Sequence, residues 1–477
     1  MKNRRLLFFI CLYFTVFTQE IACAQKSWSL KECIEYALKS NINIDQSIIT
    51  ARLAEVSYRQ SMGSFFPSVN ASAGLNYNFG RSLDQTTYQF VNSTFQSGNG
   101  SLNASMPLFE GLELQNTLRK NRLDAEAGKQ DVVKTQNDIA LGVATAFLQV
   151  LYSQEQLQAA NDRMEQVTQE RKRTKLLVDN DLLAEGSLLD ADALLSTEEL
   201  NKVTVENLIR TSKLNLIQLM QLDFVTDIEL AFPAVELPSQ ESLSLTADAI
   251  YKQAEQTLPE IKSADIRVFS AEKSIAIARG GRFPRLSVFG SLSSNFSNQA
   301  RELNGTPVFN GFIPTGAVTS TGETVLQPQY IYNYRDVSFT DQVNDNFAKA
   351  VGFSLNIPLF NGWSVKSNVS RAKLNFESAR LNAKLTRNNT FKSVQQAHAD
   401  ALAAFNKFNA ATKSADALQR SFTYTEKKYN AGLLNSLDYI TSRNNLTKAQ
   451  SDLLQAKYDF ILKVKVLDFY LGKPLSF

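Results

Sequence analysis

A strand-to-helix junction that the chain writes twice sets the limits on its fold. Residues 351–362 read VGFSLNIPLFNG and residues 102–111 read LNASMPLFEG. Each alternates apolar and small polar residues, reaches Pro-Leu-Phe, turns at a glycine and opens into a very long helical pattern. Alternation at period two makes a sheet with one apolar and one polar face, and the period near 3.5 that follows makes a packed helix. Few architectures feed a strand of membrane-spanning character straight into a coiled-coil-like helix.

Taken from the start, residues 28–40 form a short amphipathic helix and about 44–64 a second. After Pro67 the period switches. Val69, Ala71, Ala73, Leu75, Tyr77 and Phe79 alternate with Ser68, Asn70, Ser72, Gly74, Asn76 and Asn78, the pattern of an outer-membrane strand. A strand is expected over 66–80, a polar loop over 81–100 and a second strand over 101–109. No proline interrupts 113–180, a helix roughly 100 Å long at about 1.5 Å per residue. Within it Ile139, Val143, Ala146, Val150, Ser153, Leu157, Ala160, Met164 and Val167 recur in steps of four and three. Such a heptad seam needs a partner along its whole length. A break at 181–187, containing Gly186 and Ser187, precedes a return helix at 188–222, and a connector with Pro233 and Pro238 follows.

The cycle then repeats. ALKSNINI at 37–44 is answered by AEQTLPEI at 254–261, and Phe66-Pro67 by Phe283-Pro284, both 217 residues apart. Strands are expected at 285–296, where Phe289 interrupts the polar face, and at 347–359, with a long loop over 297–345 between them. Pro358 matches Pro107 at a spacing of 251. The seam returns at that spacing as Thr390, Val394, Ala397, Ala401, Ala404, Phe408, Ala411, Ala415 and Leu418. The 34-residue difference between the spacings falls in the loop, where insertions cost least. A long helix at 363–430, a break at 432–435 and a return helix at 436–471 complete a second repeat. The repeats divide as 25–241 and 242–477.

Composition removes several classes of function. Residues 1–24 read as a secretory leader: Lys2, Arg4 and Arg5, an apolar run over 6–17, then Ala22-Cys23-Ala24. Cleavage after Ala24 removes three cations and Glu20, taking the net charge from +3 to +1, which is no signature of nucleic-acid binding. Lipidation at Cys23 is the lesser alternative, because Glu20 stands where an apolar residue is wanted. Cys33 alone then remains of three cysteines, so no intrachain disulfide is expected. One histidine, His398, builds no His-based metal cluster, and no nucleophile set or phosphate loop appears. Neither an enzyme nor a cofactor is expected. Arg279-Gly280-Gly281-Arg282 reads as a helix C-cap with arginines facing lipid headgroups. No apolar run after the leader is long enough for a transmembrane helix, which leaves β-strands as the way into a membrane.

These elements point to an α+β membrane protein with an internal tandem repeat. Four strands cannot close a membrane barrel, and an open edge in lipid leaves backbone groups unsatisfied. Chains must share one barrel. Two would give about eight strands, too narrow for a channel, whereas three give about twelve around a polar lumen. The long helices would extend from one end as an α-barrel. Pro67, Pro107, Pro284 and Pro358 mark the strand ends, and Phe65, Phe66, Phe109, Phe283, Phe360 and Trp363 around them read as an aromatic girdle.

The duplicated unit, together with YNAGLLNSLDYITSRNNLTKAQ at 429–450, resembles the TolC-type outer-membrane efflux proteins over essentially the whole chain beyond the leader. That resemblance implies a homotrimer in the outer membrane of a Gram-negative bacterium, with a twelve-strand barrel continued by a twelve-helix periplasmic tunnel. It also implies a periplasmic adaptor docked at the helix tips and an inner-membrane pump that drives transport, the trimer itself being a passive duct. By the same resemblance Gly432 is the tip glycine, Asp438 the first aperture carboxylate, and Thr441 the position of a second. Tyr429 matches a tip tyrosine, while Gly432, Leu433, Leu434, Gly186 and Ser187 would meet the adaptor. Internal alignment makes Asp190 the counterpart of Asp438, with Asp192 nearby; two extra residues in the first tip depart from the family's pattern. Helix-dipole preference alone also places carboxylates at the start of a return helix; the resemblance favours the aperture. A stand-alone porin and an adhesive trimer are the other functions these residues leave open.

Overall fold

The computed structural model describes residues 27–83, 88–92, 94–222, 227–231, 237 and 241–473. The leader with Cys23 and Ala24, and the connector prolines Pro233 and Pro238, lie outside the described residues. The chain divides into two compact units, one drawn from 1–54, 123–268 and 378–477, the other from 55–122 and 269–377.

The second unit is built on one antiparallel four-stranded sheet. Ser68–Asn78 pairs with Phe95–Glu110, which pairs with Arg285–Ser297, which pairs with Ala348–Asn356. The register gathers most apolar residues on one face, where Lys349 is an exception. Ala71, Leu102, Leu292 and Lys349 form one cross-strand row, and Val69, Ala104, Gly290 and Val351 the next. On the other face the Ser72 and Ser101 hydroxyls meet at 2.8 Å, those of Ser68 and Ser105 at 3.1 Å, and Asn103 Nδ2 donates to Ser101 Oγ at 3.0 Å. Neither face of the outer strand Ser68–Asn78 is covered, apart from half-buried Asn78. Phe289, the interruption of the polar face, has a reason: it opposes Gly352, and a Cβ there would lie 2.7 Å from its Cζ. The ring occupies the space the glycine leaves.

Several boundaries differ from the sequence expectation, among them the first strand, which covers Ser68–Asn78, and the first loop, where Arg81–Leu83 pairs with Phe90–Asn92. The second strand starts at Phe95 rather than 101, because the hairpin keeps its register out to Asn78↔Phe95. The fourth ends at Asn356 rather than 359, because Pro358 has no N–H to give the ladder. The 297–345 segment is not a plain loop. Arg301–Leu303 pairs with Tyr334–Asp336, Val308–Val318 pairs with Thr324–Ile331, and the helix Phe339–Asp345 packs on the third strand. Gln342 anchors that helix, its Oε1 accepting from the Ser297 N–H at 2.8 Å. Glycines and prolines inside the Val308–Ile331 hairpin disguise it as loop.

At both strand-to-helix junctions two successive residues are left-handed: Gly111 (φ 62°) with Leu112 (φ 64°), and Gly362 (φ 60°) with Trp363 (φ 66°). This pair of turns swings the chain from sheet into helix. The first is tight, since a Cβ on Gly111 would lie 2.4 Å from the Gly280 carbonyl oxygen; the second is open.

The first unit is mainly helical, with one short parallel pair of strands, Ser27–Trp28 and Glu229–Leu230. Among the described residues no helix is long and apolar enough to cross a membrane. The long helices Glu113–Asp179 and Ser364–Asn430, of 67 residues each, are followed by return helices Glu185–Met220 and Ser436–Tyr470. Every position of both seams is buried or half-buried. Buried Ser153 satisfies its hydroxyl on the Gln149 carbonyl at 2.8 Å.

The two main clusters of the core repeat one another. Cys33, Ala37, Val143, Val150, Leu216 and Met220 in one correspond to Ile250, Ala254, Val394, Ala401, Leu467 and Leu471 in the other. The first two pairs are 217 residues apart and the rest 251. Local signals start the short helices of each half. Ser29 and Glu32 form a capping box before Leu30–Ser40, and the Thr246 side chain caps Ala247–Thr257.

Candidate functional site

Each long helix ends in the same turn. The Leu182 N–H reaches the Leu177 carbonyl at 2.8 Å, and the Leu433 N–H the Lys428 carbonyl at 2.9 Å. Asp181 (φ 58°) takes the left-handed position in the first turn and Gly432 (φ 70°) in the second. Return helices then begin at Glu185 and Ser436, with Ala184 and Asn435 at the N-cap positions, of which only Asn435 caps with its side chain. All these pairs are 251 residues apart, the spacing of the seams themselves.

The first tip is therefore as long as the second, which corrects the pairing of Asp190 with Asp438. Ser187 stands at the position of Asp438, and Asp190 at that of Thr441. Gly186 and Ser187 belong to the first turn of the return helix rather than to the break, because the helix starts at Glu185. Asp438 sits in the first turn of its helix, its N–H bonded to Asn435 Oδ1 at 2.8 Å. Asp190 lies beyond the first turn, so a preference for the helix N-terminus does not explain it.

The structure brings some of the expected residues together. Ser436 Oγ donates to Asp190 Oδ2 at 3.2 Å, joining the first turn of one return helix to the second turn of the other. Tyr429 stacks on Tyr439 with ring centroids 4.5 Å apart and planes 18° from parallel. Ser187, Asp190, Tyr429, Ser436 and Tyr439 line one shallow cleft. Asp438, Thr441 and Gly432 are exposed, Leu433 is 75% exposed, and Leu434 is half-buried. Asp192 is drawn away from this group by an ion pair with Arg171.

Glu170, in the lining of the same cleft, belongs to a charged group that has little trace in the sequence. Arg443 pairs with Glu170, with the two side chains only 10% and 21% exposed, and the Tyr439 hydroxyl donates to the same carboxylate at 3.4 Å. Burial raises the Glu170 pKa above its ordinary value in spite of the attraction of Arg443. Burial, with the Glu170 charge adding to it, also raises the pKa of Tyr429 and Tyr439, so both stay neutral donors. One signal was available. Arg443 interrupts the buried row of Tyr439, Leu446 and Ala449, and a charge on an apolar row asks for a partner. The seam of the other helix runs on from Val167 to Arg171, so it does not mark Glu170. Farther along, Glu155 repeats the tie, accepting from Tyr458 at 2.7 Å and Lys457 at 3.2 Å.

Among the described residues no group of histidine, cysteine and carboxylate side chains could hold a metal. What the tips offer is exposed carboxylates and leucines at the ends of paired helices. That arrangement suits a gate or a docking surface.

The chain matches the outer membrane efflux protein family over residues 33–220 and again over 250–473. It belongs to that family. It is 23% identical over 443 residues to the toxin and drug export protein A of Aggregatibacter actinomycetemcomitans, covering 91% of this chain and 84% of that protein. Identity to the outer membrane protein TolC of Escherichia coli K12 is 23% over 437 residues, covering 90% of this chain and 82% of that protein. The fold is that of the Campylobacter jejuni CmeC outer membrane channel, with a TM-score of 0.72 at 16% identity over 93% of this chain and 85% of that one. Like other outer membrane efflux proteins, this chain provides an exit duct through the outer membrane for an efflux or secretion system. Its fold class is α+β, a helical domain joined to a β domain.

Proposed function

We propose that three copies of this chain close one twelve-stranded barrel in the outer membrane, continued into the periplasm by a helical tube. The four-stranded sheet carries this reading. Its register puts mostly apolar side chains on one face and mostly polar ones on the other, with Lys349 and Phe289 among the exceptions, and its outer strands, Ser68–Asn78 and Ala348–Asn356, each have one ladder partner among the described residues. In lipid such edges must pair, and the next chain supplies the partner. Serine and asparagine then line the lumen, while Val69, Leu75, Tyr77, Val351, Phe353 and Leu355 meet lipid.

The leader ending at Ala24 sends the chain out of the cytoplasm, and the two halves act as structural repeats. The helix tips receive a periplasmic adaptor and, through it, an inner-membrane pump. Leu433, Leu434 and Gly432, with Gly186 and Ser187 on the first tip, form the docking surface. Asp438 and Asp190 line the aperture and Tyr429 helps to hold it shut; Thr441 leaves the second tip with one carboxylate. Transport is passive, with energy coming from the pump. No catalytic step is needed.

Conductance in planar bilayers tests this reading. The isolated protein should be closed most of the time, because its partners open it. A steadily open, large pore would make it a stand-alone general porin.

A further inference from the structure

The hairpin of Val308–Val318 and Thr324–Ile331 is an uncovered apolar surface. Leu326 opposes Pro314 and Pro328 opposes Phe312, so these four share one face. Phe309 joins them, its ring 5.2 Å from Phe312 and 5.9 Å from Tyr330. On this face Phe312 is 63% exposed, Leu326 53%, Phe309 51% and Tyr330 44%. Neither edge of the hairpin has a ladder partner among the described residues. Residues 304–333 carry one charge, Glu323.

A two-stranded hairpin alone is marginal in water, and neutral, apolar edge strands are templates for pairing. Something must cover this one. The surface of a charged membrane would be matched by free cations, but Arg301 and Arg335 at the base of the hairpin are paired with Asp336 and Glu302. A second copy fits better, since a nearly uncharged face meets its own kind without repulsion. The connection also favours a copy. The hairpin leads through Tyr334–Asp336 and Phe339–Asp345 into Ala348–Asn356, the edge that joins the neighbouring chain in the trimer proposed above. Reach is sufficient. Eleven residues span about 35 Å, against a radius of roughly 12 Å for twelve strands about 4.8 Å apart and tilted about 40°.

We propose that the three hairpins of a trimer pack apolar face to apolar face, forming a cap over the external mouth of the duct. The proposal rests on the trimeric reading. Single variants Phe312→Cys and Leu326→Cys place a thiol on the apolar face, and Gln327→Cys places one on the opposite face as control. Native Cys33 is buried. Copper–phenanthroline oxidation of the purified full-length protein in lipid vesicles should give a covalent dimer for the first two and not for the third. The yield should not change on dilution. Native mass of the same samples separates the two readings. In an intact trimer, absence of the covalent dimer overturns the cap, whether the thiols then react freely with a water-soluble maleimide or are shielded by the vesicle lipid. A yield that falls with dilution places the contact between separate trimers and overturns it as well. A species smaller than a trimer removes the barrel reading and the cap with it.

Discussion

The hydroxyl of Ser436 donates to the carboxylate of Asp190 across 3.2 Å, tying the first residue of one return helix to the sixth of the other. The two halves of the repeat therefore contribute to the tip unequally. Asp438 has Ser187 as its counterpart and Asp190 has Thr441, so of these two equivalent positions each half fills one with a carboxylate, at a different level. In a trimer these become two rings of three like charges, which repel unless cations sit between them. Asp190→Asn with Asp438→Asn should weaken cation selectivity and divalent block from the periplasmic side. Stability should change little: about 0.3–1 kcal/mol for Asp438 in the first turn of its helix, and no more for Asp190, whose bond from Ser436 an asparagine oxygen still accepts. Single-channel recordings check this, and unchanged selectivity and block would move the gate to Tyr429, Leu433 and Leu434.

The Glu170–Arg443 pair should matter more to stability than anything exposed at the tip. Arg443→Met strands a carboxylate that is mostly buried and should cost about 3 kcal/mol, whereas Arg443→Met with Glu170→Leu should recover most of that loss. Calorimetry of the three proteins decides it. The raised Glu170 pKa also has a direction in pH. Native protein holds this proton to higher pH than the unfolded chain, whose ordinary value is 4.5. Its contribution is thus fully present below that value, is lost as pH rises through the folded pKa, and is flat above. Glu170→Gln should remove this slope from melting curves recorded between about pH 4 and pH 8.

At the strand-to-helix junctions the two glycines should respond differently. Gly362→Ala meets open space and suffers only the left-handed backbone, about 1–2 kcal/mol. Gly111→Ala adds a collision with the Gly280 carbonyl and should cost about 1–3 kcal/mol more. Heat stability of the purified variants measures the difference, and equal losses would contradict the tight first junction.

Much of this fold is legible in one sequence because its elements are long and strongly periodic. Steps of four and three from Ile139 to Val167, and from Thr390 to Leu418, mark faces that are buried or half-buried throughout. Alternation over Val69–Tyr77 marks a strand because one side must be apolar and the other polar. What escapes is set by pairing at a distance. Phe95 joins the sheet only because Asn78 lies opposite. The Val308–Ile331 hairpin is hidden by Gly311, Pro314, Gly316 and Pro328, whose local preference is for turns. At the tip, Gly432 and Tyr429 could be found by resemblance to a family. Glu170 and Arg443 lie 273 residues apart, and their only trace is a charge on an apolar row.

The topology of the proposed duct predicts where a protease can reach. On intact cells the exposed turn near Gly322, or the loop around Tyr88, should be cut while the helices stay whole. Peptide mapping identifies the sites. Cleavage in the helical unit before the outer membrane is permeabilised would invert the orientation.

In the proposed duct one chain cannot close the barrel and three can. Native mass spectrometry of the protein released from detergent tests it most directly. A main species of three times the monomer mass, with no monomer in equilibrium, is the predicted result. A monomer or a dimer as the main species would contradict the shared barrel.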